Sequence, residues 1–324
     1  MTQKVLLFGD VGIDDTIALI YAYFNDDIDI IGVVADYGNI PRENAVANTN
    51  YVRSLFETGE VEDISVFLGA KYPMTSDSVE YPTEIHGEYG LGPIIPPETA
   101  NDEADFENFD GVIEIIKKYK DELVIVNIGR LTSLATLFLV SPNLVNEVKG
   151  IYVMGGAFWV PGNVTAVSEA NFHGDPVAAQ IVLTYGENVT IIPLNVTERA
   201  IATPQMVDYI DKNNPITIIK TILDFYYDFY KKRNPNVQGS PLHDVVTLMA
   251  VENAGLFVYR KLPVHIVQAT KGTERGQSIA DIRGFGSLQE ETEKEIKKHR
   301  IAFDFDYKKF YIKFMTTMTG NSFE

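Results

Sequence analysis

The sequence predicts an α/β fold with an open, mostly parallel, doubly wound sheet and helices on both faces. Short apolar, β-branched runs alternate along the chain with longer segments of helical period. These runs show little polar alternation, as expected for strands that helices cover on both sides. No internal repeat or linker interrupts the 324 residues, so a single domain spanning residues 1–324 is the simpler organisation.

The alternation predicts the elements in chain order. Strands at 4–8 and 28–35 are followed by helices at 16–24 and 44–56, and strands at 123–128 and 151–154 by helices at 131–139 and 176–184. Further helices are predicted at 216–230, 243–253 and 308–318, and strands that add an edge to the sheet at 264–267 and 301–305. The stretches 72–105 and 159–175 break the pattern, which is typical of lids and binding loops.

Composition and charge exclude several classes of protein. The net charge of −18, with no cluster of basic residues, argues against nucleic acid as a partner. With no cysteine, the chain has no disulfide, thiolate nucleophile or cysteine-ligated metal. No apolar run approaches the ~20 residues of a membrane span, and the first residues lack the features of a secretory signal. We therefore expect a cytoplasmic protein that does not bind membranes.

Three carboxylates follow the first predicted strand within six positions. Asp10, Asp14 and Asp15 lie in a strand-to-helix turn in which Gly12 permits a tight bend. One of them could be a helix N-cap, but crowding three after a buried strand is costly unless a cation or proton separates them. The pattern favours a site for a hard cation. The loop alone is only moderately specific, because carboxylates also follow the first strand in phosphohydrolases.

The loop resembles the nucleoside hydrolase signature Asp-x-Asp-x-Gly-x-Asp-Asp. Asp10, Gly12, Asp14 and Asp15 match it, and Phe8 stands where the family has its first Asp. Other segments resemble further motifs of the inosine-uridine preferring nucleoside hydrolase family, in the family's order over nearly the whole chain. They are Gly38-Asn39, His86-Gly87-Glu88, Gly129-Arg130-Leu131-Thr132, Met154-Gly155-Gly156, Gly162-Asn163-Val164-Thr165, Glu169-Ala170-Asn171, Asp175-Pro176 and Leu242-His243-Asp244.

This resemblance implies a nucleoside N-ribohydrolase that depends on calcium. Such an enzyme hydrolyses the N-glycosidic bond of ribonucleosides to ribose and a free base, through an oxocarbenium-like transition state. A calcium ion takes hard oxygen ligands, and it can bind the attacking water and the ribose diol together. The partner is then a small-molecule nucleoside. The family commonly forms dimers or tetramers, which implies a homo-oligomer.

The resemblance also implies roles for individual residues. Calcium ligands would be the carboxylates of Asp10, Asp15 and Asp244 and the backbone carbonyl of Ile128. Asp10 would also be the general base that takes a proton from the metal-bound water. Residues expected to bind the ribose hydroxyls are Asp14, Asn163, Glu169 and Asn171, and Asn39 would position the water or the sugar face. Taken singly, Asp244 could instead be a helix cap, and Asn163 and Glu169 could belong to a hydrogen-bonded loop.

Candidates for the leaving-group side are histidine and tyrosine residues. His243 precedes an expected metal ligand and can titrate near neutral pH. In one branch of the family the matching His helps to protonate the departing base, together with a Tyr from the preceding helix. Tyr227 and Tyr230 are therefore candidate base contacts, although such aromatic stripes also form cores. His86, in the predicted lid, is a second candidate acid or base-binding residue.

Departures from the family pattern keep other functions open. Besides Phe8, Arg130 stands where Pro is usual, Ala170 replaces an aromatic residue and Asn195 replaces an Asp. A catalytically weakened homologue that binds nucleoside or ribose is therefore the alternative. A phosphohydrolase with Asp10 as its nucleophile is the weaker third hypothesis, because no lysine partner is evident and the downstream motifs have no role in it. The base preference does not follow from the sequence.

Overall fold

The computed structural model describes residues 2–56, 64–97, 109–283 and 297–324. The described residues form these strands: β1 (Gln3–Gly9), β2 (Ile28–Ala35), β3 (Ser65–Leu68), β4 (Leu123–Asn127), β5 (Gly150–Met154), β6 (Val189–Ile192), β7 (Ile201–Ala202), β8 (Ser240–Pro241), β9 (Phe257–Pro263), β10 (His265–Ile266), β11 (Ser278–Ile279) and β12 (Lys298–Phe305).

The same residues form these α-helices: α1 (Ile13–Tyr23), α2 (Arg42–Ser54), α3 (Thr83–His86), α4 (Asp110–Tyr119), α5 (Thr132–Val140), α6 (Pro142–Val145), α7 (Ala170–Gly174), α8 (Pro176–Tyr185), α9 (Leu194–Thr197), α10 (Pro204–Asn213), α11 (Ile218–Arg233), α12 (His243–Glu252) and α13 (Tyr307–Thr319). Among the described residues, no helix combines the length and the apolar character needed to cross a bilayer.

Eight strands form one central sheet in the order β3-β2-β1-β4-β5-β6-β12-β9. Every neighbouring pair is parallel except β12 and β9, which run antiparallel. The predicted fold class, a mostly parallel sheet covered by helices, is confirmed. Its order places β1 near the middle, where both faces of the strand are buried.

The edge of the sheet differs from the prediction. The strand predicted at 264–267 is wrong as an edge strand, because β10 pairs only with β11 in a separate two-stranded sheet. The edge strand at this end of the sheet is β9, and β12 lies between β6 and β9. β9 carries exposed charged residues, Arg260 and Lys261, which hide it from a search for apolar runs. Charged side chains are common on edge strands, where they discourage pairing with another chain.

Two hydrophobic cores lie on opposite faces of the sheet. Val5 and Leu7 of β1 belong to the core that α1 and α12 cover. Leu6 and Phe8 belong to the core that α4, α5 and α8 cover. Successive side chains of a strand point to opposite faces, so the apolar run of β1 fills both cores.

The carboxyl ends of β1, β2, β4 and β5 meet at one edge of the sheet, because these strands are parallel neighbours. Ligands of open α/β sheets bind at this edge. The two predicted loops border it. The first contains α3, and its part from residue 98 onwards lies outside the described residues; the second leads into α7.

Candidate active site

Four buried aspartates, Asp10, Asp14, Asp15 and Asp244, form an acidic cluster at this edge. Asp10 follows β1, Asp14 and Asp15 lie in the first turn of α1, and Asp244 lies in the first turn of α12. The side chains are at most 4% exposed. The backbone N–H of Asp244 donates to Asp14 Oδ2 at 3.2 Å, which joins the two helix starts. The positive ends of both helix dipoles therefore favour negative charge here.

Asn39, just after β2, holds the orientation of Asp10. Its backbone N–H donates to Asp10 Oδ2 at 2.7 Å, and its side-chain amide donates to Asp10 Oδ1 at 3.1 Å and to Asp15 Oδ2 at 3.3 Å. Gly38 permits this close approach, because a Cβ there would lie 1.9 Å from Asp10 Oδ2. The absence of a side chain at Gly38 is thus what lets the Asp10 carboxylate reach Asn39.

The acidic cluster is electrostatically unfavourable by itself. Burial raises the pKa of all four carboxyls, that of Asp14 to about 8, and repulsion from neighbouring aspartates adds to the effect at Asp14, Asp15 and Asp244. Asp14 Oδ1 and Asp15 Oδ1 are buried without a hydrogen-bond partner among the described residues. Buried polar atoms are normally satisfied. A hard cation, which takes carboxylate oxygens as ligands, fits these two unsatisfied oxygens.

Asn171 and Arg130 connect the carboxyl ends of β4 and β5. The Asn171 amide donates to the carbonyl of Ile128 at 2.9 Å and to that of Met154 at 3.1 Å. Its Oδ1 accepts from Arg130 Nη1 at 2.6 Å, and the same nitrogen lies 3.7 Å from Asp10 Oδ2. A buried guanidinium therefore stands beside the acidic cluster, where it lowers the pKa of Asp10 against the larger effect of burial.

Glu169 and Asn163 shape the loop before α7. The Glu169 carboxylate accepts the backbone N–H groups of Gly156, Asn171 and Phe172 at 2.7 to 3.1 Å. These bonds oppose the effect of burial, which raises the pKa of Glu169. Asn163 Oδ1 accepts the backbone N–H of Ala170 at 3.0 Å. Both side chains are thus fixed by the backbone of their own loop and stand at the cavity wall.

Two histidines lie beside the acidic cluster, His86 against Ile13 of α1 and His243 next to Asp244 in α12. His86 Nδ1 accepts the N–H of Ile13 at 3.2 Å, so its proton is on Nε2. His243 Nδ1 bonds Thr197 Oγ1 at 2.8 Å, and its Nε2 lies 3.5 Å from the hydroxyl of Tyr230. Burial lowers the pKa of His86 to about 3 and of His243 to about 4. Both rings are therefore neutral at pH 7.

A cavity of about 990 Å³ opens between these walls. The predicted site residues that line it are Asp14, Asn39, His86, Ile128, Asn163, Glu169, Asn171, Tyr230, His243 and Asp244. Asp10 and Asp15 are buried and are not among the residues that line it. The cavity is large enough for a small organic ligand and has the polar wall that such a ligand needs for orientation.

Comparison with known proteins identifies the family. Residues 5–312 match the profile of the family described as inosine-uridine preferring nucleoside hydrolase. The chain belongs to this family. Nucleoside hydrolases and nucleosidases act on N-glycosyl bonds, so this protein is a hydrolase of that class.

Three relatives illustrate how far the similarity extends. Uridine nucleosidase 1 of Arabidopsis thaliana is 29% identical over 281 residues, which cover 86% of this chain and 82% of the relative. The pyrimidine-specific ribonucleoside hydrolase RihA of Salmonella newport (strain SL254) is 30% identical over 284 residues, or 87% and 89% of the two chains. A solved purine-preferring ribonucleoside hydrolase from Gardnerella vaginalis superimposes with a TM-score of 0.85 at 30% identity, covering 98% of each chain.

The structure of this nucleoside hydrolase separates two of the predicted tyrosines. Tyr230 lines the cavity, but Tyr227 does not: its hydroxyl donates to the carbonyl of Val237 at 3.3 Å. Tyr226 lines the cavity instead, and its hydroxyl lies 3.2 Å from that of Tyr230. Helical spacing could not have separated the two, because Tyr226 and Tyr227 lie four and three positions before Tyr230 and both spacings bring side chains together on a helix surface.

Two departures from the family pattern also have a definite place. Phe8 is fully buried in the core on the α5 face, so it adds nothing to the cavity wall of this nucleoside hydrolase. Arg130, noted in the sequence only as an unusual residue, lines the cavity. Its position three residues after β4, beside an expected carbonyl ligand, was the signal that could have marked it as a site residue.

Proposed function

We propose that this nucleoside hydrolase cleaves ribonucleosides to ribose and free base in a calcium-dependent reaction, with Asp10 as the general base. One observation carries the proposal. An acidic cluster with two unsatisfied carboxylate oxygens adjoins a nucleoside-sized cavity, which Asp14 and Asp244 line, at the sheet edge where ligands bind. Membership of the family supplies the reaction class, and the acidic cluster supports the proposal of a bound metal ion.

The oxygen-rich donor set suits calcium. Asp10, Asp15, Asp244 and the Ile128 carbonyl would hold the ion, which supplies the positive charge that polarises water and sugar oxygens. The described residues contain no ready-made group of three or more His, Asp or Glu side chains at metal-binding geometry. The proposal therefore includes a small convergence of the carboxylates, which the charge of the ion would drive by relieving their repulsion.

Asp10 is the carboxylate best held for proton transfer. Two N–H groups of Asn39 fix both of its oxygens, and the Arg130 guanidinium at 3.7 Å favours its ionised form. In the proposed reaction Asp10 takes a proton from water, whose oxygen bonds to C1′ of the ribose. The C–N bond breaks with its electron pair going to the base, and negative charge around the sugar favours the oxocarbenium-like transition state.

His243 is the proposed donor to the departing base. Its Nε2 lies 3.5 Å from the hydroxyl of Tyr230, which lies 3.2 Å from that of Tyr226, and all three side chains line the cavity. Because burial lowers its pKa to about 4, His243 would meet the base as a neutral ring that donates a hydrogen bond. Asp14, Asn163 and Glu169 remain the proposed ribose-binding residues, with Asn171 beside them on the cavity wall.

The decisive experiment measures release of reducing sugar from a panel of purine and pyrimidine ribonucleosides, with calcium and with a chelator. Asp10→Asn is expected to lower kcat by about 10²- to 10⁴-fold. Asp211→Asn, at an exposed position of α10, removes the same charge and serves as the matched control. Turnover at the wild-type rate in chelator, or in Asp10→Asn, contradicts the mechanism. The panel also decides the base preference, since the relatives are named for uridine, pyrimidine and purine substrates.

A binding protein without hydrolysis is the second candidate. The observation that favours it is the guanidinium of Arg130 beside Asp10, because a fixed cation there opposes binding of a second one. Tight nucleoside binding without sugar release would support this alternative.

We also propose a homo-oligomer, a dimer or tetramer, which light scattering on the purified chain would test.

A further inference from the structure

The side chain of Asn171 has no free donor for a ligand. Both N–H bonds of its amide are directed at backbone carbonyls, those of Ile128 and Met154. Its oxygen already accepts from Arg130. Glu169, two positions earlier, is an acceptor whose carboxylate three backbone N–H groups already occupy. A sugar hydroxyl that needs a donor on this wall must therefore find another residue.

Arg130 has the free donors that Asn171 lacks. Of its guanidinium nitrogens, Nη1 donates to Asn171 and approaches Asp10, whereas Nε and Nη2 have no acceptor among the described residues. Both nitrogens retain solvent-accessible surface. The side chain is 10% exposed and lines the cavity, so these donors belong to the cavity wall.

The backbone at Gly174 packs directly against the Arg130 side chain. A Cβ at Gly174 would lie 2.3 Å from Arg130 Nε and 2.4 Å from its Cδ, so only glycine at this position leaves room for the side chain. Asn171 then fixes one end of the guanidinium by a 2.6 Å hydrogen bond. An arginine held on two sides loses little further freedom when it binds a ligand, which strengthens each hydrogen bond it makes.

We propose that Arg130 is a specificity-determining residue that donates a hydrogen bond to a ribose hydroxyl, the contact that the family pattern would assign to Asn171. This inference rests on the proposed function, because it needs a nucleoside in the cavity. Asn171 becomes a positioning residue that aligns Arg130 with the carbonyls of Ile128 and Met154. A charged donor to a hydroxyl is worth about 10- to 100-fold in discrimination against a sugar that lacks it.

The test compares kcat/KM for the best ribonucleoside substrate with its 2′-, 3′- and 5′-deoxy analogues, in the wild type and in Arg130→Met. Comparing the two proteins cancels the intrinsic reactivity of each analogue. Wild type is expected to discriminate against one analogue by about 10- to 100-fold through this contact, and Arg130→Met to lose that discrimination while keeping the other two. Arg130→Lys, which retains a donor, is expected to restore part of it.

Arg275→Met is the matched control. Arg275 lines the same cavity, but its donors go to the backbone carbonyls of His173, Gly174, Ala269 and Thr270. Its loss is expected to leave all three discrimination ratios unchanged; if this variant does not fold, Lys271→Met replaces it. Equal weakening of all four substrates in Arg130→Met would overturn the inference. Absence of turnover in the wild type would instead contradict the proposed function, so the two failures are distinguishable.

Discussion

Asp14 Oδ2 accepts the backbone N–H of Asp244 at 3.2 Å, across 230 positions of sequence. The bond joins the first turns of α1 and α12, so it fixes the position of the first motif of the site relative to the last. It also satisfies one of the N–H groups that a helix start leaves without an intrahelical partner. Asp14, Asp15 and Asp244 are consequently positioned by the two helix starts, whereas Asn39 orients Asp10.

Calcium is expected to stabilise the fold. The ion would relieve the repulsion that Asp15 experiences from Asp10 and Asp14, and at 100 times its Kd it adds about 2.7 kcal/mol to the free energy of unfolding. Thermal unfolding with calcium and with chelator measures the shift. Asp15→Asn should abolish the shift without lowering the Tm of the metal-free protein; the same calcium shift in this variant would contradict the assignment of Asp15 as a ligand.

Gly38→Ala is expected to damage catalysis far more than stability. The new Cβ would meet Asp10 Oδ2 at 1.9 Å and force the carboxylate away from the N–H of Asn39. A displacement of this size costs about 100-fold in kcat when the displaced group is the base. Gly150→Ala is the matched control, because its Cβ would make only an ordinary 3.6 Å contact with Tyr152. Equal rates for the two variants would argue against Asp10 as the base.

His86 is expected to make stability depend on pH. Burial and the charge of Arg130 lower its pKa to about 3 in the folded state, from the ordinary 6.5. The unfolded chain therefore binds a proton that the folded chain rejects. This contribution is fully present above pH 6.5 and is lost as the pH falls towards 3, by up to about 1.4 kcal/mol per pH unit.

The corresponding variant is His86→Gln, which keeps an acceptor for the N–H of Ile13 but does not titrate. Urea unfolding between pH 4 and pH 7 measures the free energy of unfolding for both proteins. The dependence on pH should become shallower by about one proton in the variant. An unchanged slope would show that His86 is not held in its neutral form.

Two adjacent tyrosines of α11 should respond differently to the same substitution. Tyr226→Phe removes a hydroxyl from the cavity wall and from the pair with Tyr230, so kcat/KM is expected to fall by about tenfold. Tyr227→Phe removes a bond to the Val237 carbonyl outside the cavity, so it should cost about 1 kcal/mol of stability and leave kcat/KM within about twofold. A larger loss of kcat/KM in Tyr227→Phe than in Tyr226→Phe would contradict the placement of the nucleobase beside Tyr226 and Tyr230.

The parallel strands near the centre of the sheet could be predicted from the sequence, and its edges could not. β1, β2, β4 and β5 are apolar runs because both of their faces are buried. β9 contains the adjacent exposed residues Arg260 and Lys261, so a search for apolar runs does not identify it as a strand. The nearby run at 264–267 is apolar for another reason: Val264 and Ile266 pack into the core on the α5 face.

By itself the sequence determined the α/β class, the family and the acidic residues that follow β1, because these depend on local pattern and on the order of motifs along the chain. Only the tertiary structure decided that Tyr226 and not Tyr227 lines the cavity, that Phe8 lies in a core, and that Arg130 meets Asn171 and Asp10. Residue spacing defines which side chains share a face of a helix or strand, but not which way that face is turned. Packing of elements far apart in sequence sets that orientation. It thereby also sets which hydrogen-bond donors and acceptors of each polar side chain remain free.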